Sequence, residues 1–279
     1  MISVIVPVRN GMPWLSEQLQ ALVEQDFAGD WEVVVADNGS TDLTPVVAQQ
    51  WAERHDRVRC TDASEVNGAP AARNAGVRAA RGDLLAFCDA DDIVQPGWLA
   101  SCARALEEVD VMAGVFDFWS LNGLRSSPPK PASMRQLGFL PAGLGANLAV
   151  RRQAFEAVGG FAEELLIGED IDLCWRLQLS GYRFVIEFKA IVAKRERNEF
   201  KLVFRQAAGY GRSGPALYRR HRSGGARRNL TGAAKSWLWL LLLSPQLVTA
   251  GNRRIEWARA AGMRSGRLIG SIRERAFFP

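Results

Sequence analysis

The sequence predicts an α/β fold with a mostly parallel sheet, because runs of strand length alternate with segments of helical periodicity. The runs rich in β-branched and other apolar residues are Ile2–Val8, Trp31–Val35 and Leu84–Phe87. Apolar residues recur at helical spacing after each of them, within 15–23, within 43–51 and, behind Pro96, within 99–106. Strands joined through helices imply right-handed crossovers, which set the strands parallel to one another.

The overall composition is that of a globular protein. Of 279 residues, 48% are hydrophobic and 23% are charged, which excludes a wholly disordered or fibrous chain. The cysteines lie far apart and show neither disulfide-framework nor zinc-ligand spacing; they are Cys60, Cys88, Cys102 and Cys174. We therefore expect reduced thiols in a cytoplasmic protein.

Charge divides the chain near residue 194. Residues 1–193 contain 16 Lys and Arg against 26 Asp and Glu, whereas residues 194–279 contain 19 against 4. An acidic body with a basic, helical C-terminal tail indicates that the tail meets an anionic surface. Residues 119–141 are rich in Pro and Ser and show no period. They predict either a mobile loop across a site or a plain surface excursion.

The densest acidic cluster follows the third predicted strand. Asp89, Asp91 and Asp92 come directly after the apolar run that ends at Phe87, and we call residues 89–92 the acidic turn. In an open parallel sheet, ligands bind beyond the carboxyl ends of strands. Asp89 and Asp91 can hold one hard divalent cation through oxygen ligands, and without a cation these carboxylates repel one another. The alternative is an Asp-rich turn before the next helix.

Three further segments carry candidate residues. Asp37 ends the second strand and can accept hydrogen bonds from a base or a ribose, although an Asx turn with a helix cap explains residues 38–42 equally well. Arg73, in a run of small residues, offers a planar fork to a phosphate or a base edge. Glu169 and Asp170 precede a predicted helix, where an ionised carboxylate can serve as a general base or as a plain cap.

Taken in order and spacing, these segments resemble the family 2 glycosyltransferases of the GT-A fold, over about residues 2–190. The segments that carry the resemblance are 3–10 (SVIVPVRN), 37–42 (DNGSTD), 72–76 (ARNAG), 89–92 (DADD) and 168–173 (GEDIDL). The resemblance implies a nucleotide-diphosphate-sugar donor, a divalent cation (Mn²⁺ or Mg²⁺) and inversion at the anomeric carbon. It also implies a nucleotide-sugar-binding half at residues 1–118 and an acceptor-side half at 119–193, followed by the tail at 194–279.

The resemblance implies a role for each matching residue. Asp170 is the expected catalytic base, and Asp91 with Asp89 is the expected metal pair. The expected nucleotide contacts are Pro7, Arg9, Asp37, Arg73 and Asp89. Further candidates on the acceptor or diphosphate side are Glu169, Asp172, Lys194 and Arg195.

Two departures from the family pattern matter. Many relatives carry a histidine after the second block that helps to bind metal or diphosphate, whereas the corresponding stretch here contains Lys194 and Arg195. Either could neutralise a diphosphate, but neither is a metal ligand, so the third contact of the metal is open. The Gln/Arg-x-x-Arg-Trp signature of the processive synthases is missing from the sequence, which favours addition of a single sugar.

The tail combines an apolar run with basic flanks. Residues 236–252 are uncharged but include Pro245, and as a helix they would span roughly 25 Å, short of a bilayer core. An interfacial anchor at the inner face of the cell membrane fits this pattern better than a spanning helix. The alternative is a helical hairpin packed on the body or on a second subunit, which would make the protein an oligomer. We expect no nucleic-acid partner, because aromatic residues are not interleaved with the basic ones.

The sequence therefore favours an inverting glycosyltransferase that moves one sugar to a hydroxyl of a cell-envelope, lipid-linked or glycan acceptor. One rival is a sugar-nucleotide pyrophosphorylase, which would usually show a Gly-rich loop with a basic residue after the first strand. Residues 8–13 (VRNGMP) contain a single glycine. The other rival is a non-catalytic GT-A-like module for binding or assembly.

Overall fold

The structure is a computed structural model that describes residues 1–123, 130–131, 136–244 and 252–278. The chain forms two compact units. The first, which we call the acidic body, comprises Met1–Met134 and Pro141–Glu196. The second, the helical unit, comprises Arg135–Leu140 and Arg197–Pro279. The middle of the predicted loop 119–141 and the segment around Pro245 lie outside the described residues.

The first half of the body alternates strands and helices as the periodicity predicts. Its elements are β1 (Ile2–Val8), α1 (Leu15–Val23), β2 (Trp31–Asp37), α2 (Thr44–Arg54), β3 (Val58–Asp62), α3 (Ala69–Ala79) and β4 (Leu84–Cys88). The strands pair in the order β3-β2-β1-β4, all parallel. Sequence reasoning identified β1, β2 and β4 but not β3, in which Val58 alone is buried and the other four residues are partly or fully exposed.

The second half of the sheet has mixed strand directions. Its elements are β5 (Ile93–Val94), α4 (Trp98–Glu108), β6 (Val111–Asp117), β7 (Lys130–Pro131), β8 (Asn147–Arg151), α5 (Arg152–Ala157), α6 (Glu169–Leu179) and β9 (Phe184–Ala193). The sheet continues from β4 through β8, β6 and β9 to β5, and β7 pairs with β6. β8 is antiparallel to both β4 and β6, whereas β9 is parallel to β6.

The core of the body lies between the sheet and its helices. Val4, Ile5 and Val6 are fully buried in β1, as expected for a central strand covered on both faces. Leu15, Leu19 and Leu22 of α1 are also fully buried. Each such leucine contributes about 1.5–3 kcal/mol relative to an exposed one, so the apolar stripe of α1 holds this helix on the sheet.

A buried amide ties together three strands in the second half of the sheet, β8, β6 and β9. The Asn147 side chain, at the start of β8, donates to the carbonyls of Val115 and Ala190 at 2.9 and 3.0 Å and accepts from Trp98 Nε1 at 2.9 Å. Gly114 passes so close to this amide that a Cβ there would collide with it. Because the amide is fully buried, each of these groups depends on it for a hydrogen bond.

The helical unit contains α7 (Phe200–His221), α8 (Leu230–Leu243) and α9 (Asn252–Arg273). Gly211 of α7 and Gly262 and Gly266 of α9 face the backbone of the opposite helix at distances that leave no room for a Cβ. Leu238, Trp239, Leu241 and Leu242 of α8 are exposed. Among the described residues, no helix combines the length and apolar character that crossing a bilayer requires.

We expect Asn147→Ala to lower the free energy of unfolding by about 3 kcal/mol, because it leaves buried donors and acceptors unpaired. Urea denaturation would measure the change. The matched control is Gln49→Ala on the exposed face of α2, which should change stability by less than about 0.5 kcal/mol. Equal effects of the two substitutions would contradict the role assigned to Asn147.

Candidate active site

The acidic turn lies directly beyond the end of β4. Cys88 is buried in the strand, Asp89 is partly exposed, Asp91 is exposed and Asp92 is 1% exposed. Oxygens of the three carboxylates lie within 4.8 Å of one another. Closely spaced, hard carboxylate oxygens are the donors that Mg²⁺ and Mn²⁺ prefer, so the residues present fit the divalent cation that the family resemblance implies.

Arg73 of α3 brings the acidic turn to the N-terminus of α6. Its Nη2 donates to Asp89 Oδ1 at 3.0 Å and its Nη1 donates to Glu169 Oε1 at 2.7 Å, and the residue is 4% exposed. Gly145 lies against the guanidinium, where a Cβ would crowd it. Asp89 and Glu169 are 80 residues apart in the sequence, yet both bind the buried guanidinium of Arg73.

Asp170 occupies the first turn of α6. Gly168 precedes the helix with a left-handed φ of 87°, a conformation that glycine adopts without strain. Asp170 Oδ2 accepts from the Gly145 N–H at 2.9 Å and Oδ1 accepts from the Ile171 N–H at 2.8 Å. The carboxylate is half-buried, and burial raises its pKa above the usual range. A raised pKa favours acceptance of a proton, as a general base requires.

Two basic residues follow β9 and face the acidic turn. Lys194 Nζ donates to Asp92 Oδ2 at 2.7 Å and lies 3.7 Å from Asp89 Oδ2. The Arg195 N–H donates to Asp92 Oδ1 at 2.9 Å. The Arg195 guanidinium lies 3.7 Å above the ring of Trp14. Lys194 and Arg195 thus lie beside the acidic turn, because the end of β9 and the end of β4 are at the same region of the sheet.

The predicted nucleotide contacts lie at neighbouring strand ends. In the β1–β2 register Pro7 pairs with Ala36 and Val8 pairs with Asp37, so Arg9 and Asp37 end adjacent strands. Arg9 is exposed and its Nη1 donates to Asn67 Oδ1. The Asp37 carboxylate accepts from Ser40 Oγ at 2.5 Å and from the Ser40 N–H at 3.3 Å.

Asp172 is enclosed in the body and is engaged by an arginine of its own helix. It is fully buried, and its Oδ2 accepts from Arg176 Nε at 2.7 Å. Arg176 in turn donates to the carbonyls of Val158 and Gly160. Asp172 comes two positions after Asp170, about 200° further round the helix, so it lies on a different face of α6 and supports the loop before that helix.

Sequence reasoning missed two glutamines, one that holds the acidic turn and one that holds the start of α4. Gln18 of α1 is fully buried; its Nε2 donates to the Asp89 carbonyl and its Oε1 accepts from the Val94 N–H, both at 3.0 Å. Gln25, two turns later, accepts from the Leu99 N–H at 3.0 Å and donates to the Gln95 carbonyl at 3.1 Å. The available signal was the place of Gln18 on the apolar stripe of α1, since a polar side chain there needs buried partners. Gln25 follows the end of that helix.

The site carries more carboxylates than cations. Burial, together with nearby Asp89, raises the pKa of Asp92 to about 7 although Lys194 opposes the shift. Burial and the Asp170 carboxylate raise the pKa of Glu169 to about 8. At Asp89 burial also acts upward, but Lys194 and Arg73 hold its pKa below the ordinary value. This excess of negative charge would be relieved by a bound cation.

Two proteins named as glycosyltransferases are similar to this chain in sequence. The pre-mycofactocin glycosyltransferase of Mycobacterium tuberculosis is 30% identical over 259 residues, covering 86% of this chain and 52% of the relative. Glycosyltransferase AglE of Haloferax volcanii is 30% identical over 189 residues, covering 65% of this chain and 62% of the relative. The chain therefore spans between half and two thirds of the length of these relatives.

Solved structures share the fold. The mannosyltransferase PcManGT of Pyrobaculum calidifontis, solved with GDP-Man and Mn²⁺, has a TM-score of 0.66 at 22% identity, covering 96% of this chain and 86% of that one. S. aureus TarS 1–349, solved with UDP-GlcNAc, has a TM-score of 0.57 at 21% identity, covering 100% and 93%. These likenesses confirm the predicted GT-A fold.

Family profiles cover most of the chain. The profile of glycosyl transferase family group 2 matches residues 130–258. The profile of glycosyl transferase family 2 matches residues 3–159, which include β1, Asp37, Arg73 and the acidic turn. The chain belongs to glycosyl transferase family 2, as its motifs indicate.

Proposed function

We propose that this protein transfers one sugar from a nucleotide-diphosphate donor to an acceptor hydroxyl, with inversion at the anomeric carbon. The observation that carries the proposal is the Arg73 bridge, which sets the acidic turn beside the first turn of α6. A group that binds diphosphate and a group that accepts a proton are thereby held in one cleft. Relatives named glycosyltransferases and structures solved with GDP-Man or UDP-GlcNAc support this proposal.

The donor would lie along the ends of β2, β1 and β4. Asp37, Arg9 and Pro7, which lie at the ends of the paired strands β1 and β2, would contact the nucleoside. Arg73 and Asp89 would hold the nucleotide further along the edge, and Asp91 with Asp89 would hold Mn²⁺ or Mg²⁺. When bound, the cation would supply positive charge to the departing diphosphate. Lys194 and Arg195 add fixed positive charge on the same side.

Asp170 is the proposed general base. As the acceptor oxygen forms its bond to the anomeric carbon, the bond from that carbon to the diphosphate oxygen breaks, and the acceptor proton passes to the Asp170 carboxylate. The Gly145 N–H orients this carboxylate through Oδ2. Glu169 cannot serve equally well, because its Oε1 is engaged by Arg73 and the residue is buried. One displacement without an enzyme nucleophile inverts the configuration.

The acceptor is proposed to be a cell-envelope, lipid-linked or other glycan presented at an anionic membrane surface. The helical unit has exposed leucines on α8, 238 and 241–242, and exposed basic residues nearby in the chain: Arg227, Arg228, Lys235, Arg253, Arg254 and Arg259. Leu241 and Leu242 are 68% and 69% exposed. An apolar helix face flanked by arginines suits the interface between lipid headgroups and acyl chains.

The metal role predicts that UDP, GDP or a related nucleoside diphosphate binds far more tightly with Mn²⁺ or Mg²⁺ than with EDTA. Asp91→Asn should remove most of this difference, because it removes an anionic ligand of the cation. Isothermal calorimetry measures both conditions, and Asp56→Asn, an exposed residue after α2, is the matched control. Nucleotide binding that is indifferent to metal in the unsubstituted protein would contradict the assignment.

The base role predicts that Asp170→Asn lowers turnover by about a hundredfold or more while donor affinity stays the same, the usual scale for loss of a general base. Asparagine keeps the size of the side chain but cannot take the proton. Single-turnover kinetics with the donor sugar would separate binding from chemistry. Turnover within a few-fold of the unsubstituted enzyme would remove Asp170 from this role.

The membrane proposal predicts co-sedimentation of the full chain with vesicles that contain anionic lipid, and only partial release at high salt, because salt screens the arginines but not apolar burial. Leu241→Asp with Leu242→Asp should abolish sedimentation and leave nucleotide binding intact. Val46→Asp, at an exposed apolar position of α2, is the control. If the paired substitution leaves sedimentation unchanged, or instead splits an oligomer, the face contacts protein and not lipid.

A further inference from the structure

The ammonium of Lys194 lies against two carboxylates of the acidic turn. Its Nζ lies 2.7 Å from Asp92 and 3.7 Å from Asp89. It also lies 5.5 Å from the centre of the Phe116 ring. The side chain is 20% exposed, so Lys194 is largely enclosed by the site but keeps some contact with solvent.

The two carboxylates that Lys194 faces differ in how firmly they are held. Asp92 is buried, and its other oxygen accepts from the Arg195 backbone. Asp89 is partly exposed, and its other oxygen accepts from Arg73. The contact of Lys194 with Asp92 is therefore a short anchoring hydrogen bond, whereas its 3.7 Å approach to Asp89 is the weaker interaction and the one a second cation would disturb.

A divalent cation bound by Asp89 and Asp91 would lie a few ångströms from this ammonium. Like charges at such a distance repel strongly in a partly buried site. A diphosphate placed between them would outweigh this repulsion, because each cation would then face phosphate oxygens. Metal and nucleotide would thus strengthen each other's binding through Lys194, and this coupling acts equally in both directions.

We propose that Lys194 is a resident counter-cation of the acidic turn, which keeps divalent-cation affinity low in the nucleotide-free protein and turns to the diphosphate when metal and nucleotide bind together. This inference deepens the proposed function and rests on it for the identity of the diphosphate ligand. The role assigned to Lys194 is to couple metal binding to donor binding, in the position where many relatives carry a histidine.

The test measures Mn²⁺ binding to the nucleotide-free full chain, by the electron paramagnetic resonance signal of free Mn²⁺. Lys194→Met removes the charge and keeps the length of the side chain. We expect it to raise the affinity for Mn²⁺ by about tenfold or more. Lys194→Arg keeps the charge and should bind Mn²⁺ as the unsubstituted protein does. Lys189→Met, at an exposed lysine of the same strand, is the matched control and should change nothing.

The second measurement is the affinity for GDP and UDP with and without saturating Mn²⁺. In the unsubstituted protein, Mn²⁺ should strengthen binding of at least one of them, and in Lys194→Met this strengthening should shrink. A merely structural lysine would leave the strengthening unchanged once the folded fraction is corrected for. If Lys194→Met folds poorly, Lys194→Gln, which retains a donor for Asp92, should show the same rise in Mn²⁺ affinity.

The outcomes separate this inference from the proposed function. If Lys194→Met and Lys194→Gln leave Mn²⁺ affinity unchanged or lower it, the inference is overturned, even in an enzyme that transfers sugar. If neither the unsubstituted protein nor the variants bind Mn²⁺, it is overturned as well. If Mn²⁺ affinity follows the charge at residue 194 but no nucleotide sugar is turned over, Lys194 keeps its role and the proposed transferase activity fails.

Discussion

The repulsion among buried carboxylates is the constraint on which the candidate site depends. Asp89 and Glu169 come from different elements, and neither would remain near the other without a cation between them. Arg73 supplies it, and its planar guanidinium donates to both in fixed directions. Because this cation and both partners are largely enclosed, removing any one would leave an uncompensated charge in a poorly solvated place. The bridge therefore holds α3, the acidic turn and α6 in one arrangement.

The parallel half of the sheet explains why residues so distant in sequence can share that arrangement. β2, β1 and β4 are neighbours and run in the same direction, so Asp37, Arg9 and Asp89 all follow strand ends at one edge. The antiparallel strand β8 continues the sheet beside β4. Asn147 at the start of β8 binds the backbone of β6 and β9. Lys194 directly follows β9, and the position of this strand in the sheet places Lys194 beside the acidic turn.

The helix α1 contributes to the site without offering it a reactive group. Its leucines attach it to the core. Gln18 on the same stripe and Gln25 just after the helix hold the backbone on either side of β5. The acidic turn is thus held by Gln18 through a carbonyl, by Arg73 through a carboxylate and by Lys194 through two carboxylates. Asp91 is the exposed member of the turn, and its carboxylate is therefore the most accessible to an incoming cation.

The sequence by itself determined the α/β class, three of the parallel strands and the short-range motifs, because these depend on hydrophobic period and on residues adjacent in the chain. It also identified Asp89, Asp91 and Asp170 as candidates, since acidic residues clustered at strand and helix ends are visible without coordinates. The tertiary structure decided the rest. Asp170 and Asp172 are both acidic and two residues apart, yet only the packing of α6 shows that one accepts from the Gly145 N–H and the other holds Arg176. The position of Lys194 beside Asp92 depends on the register of β9, a contact across 102 residues that no local pattern encodes.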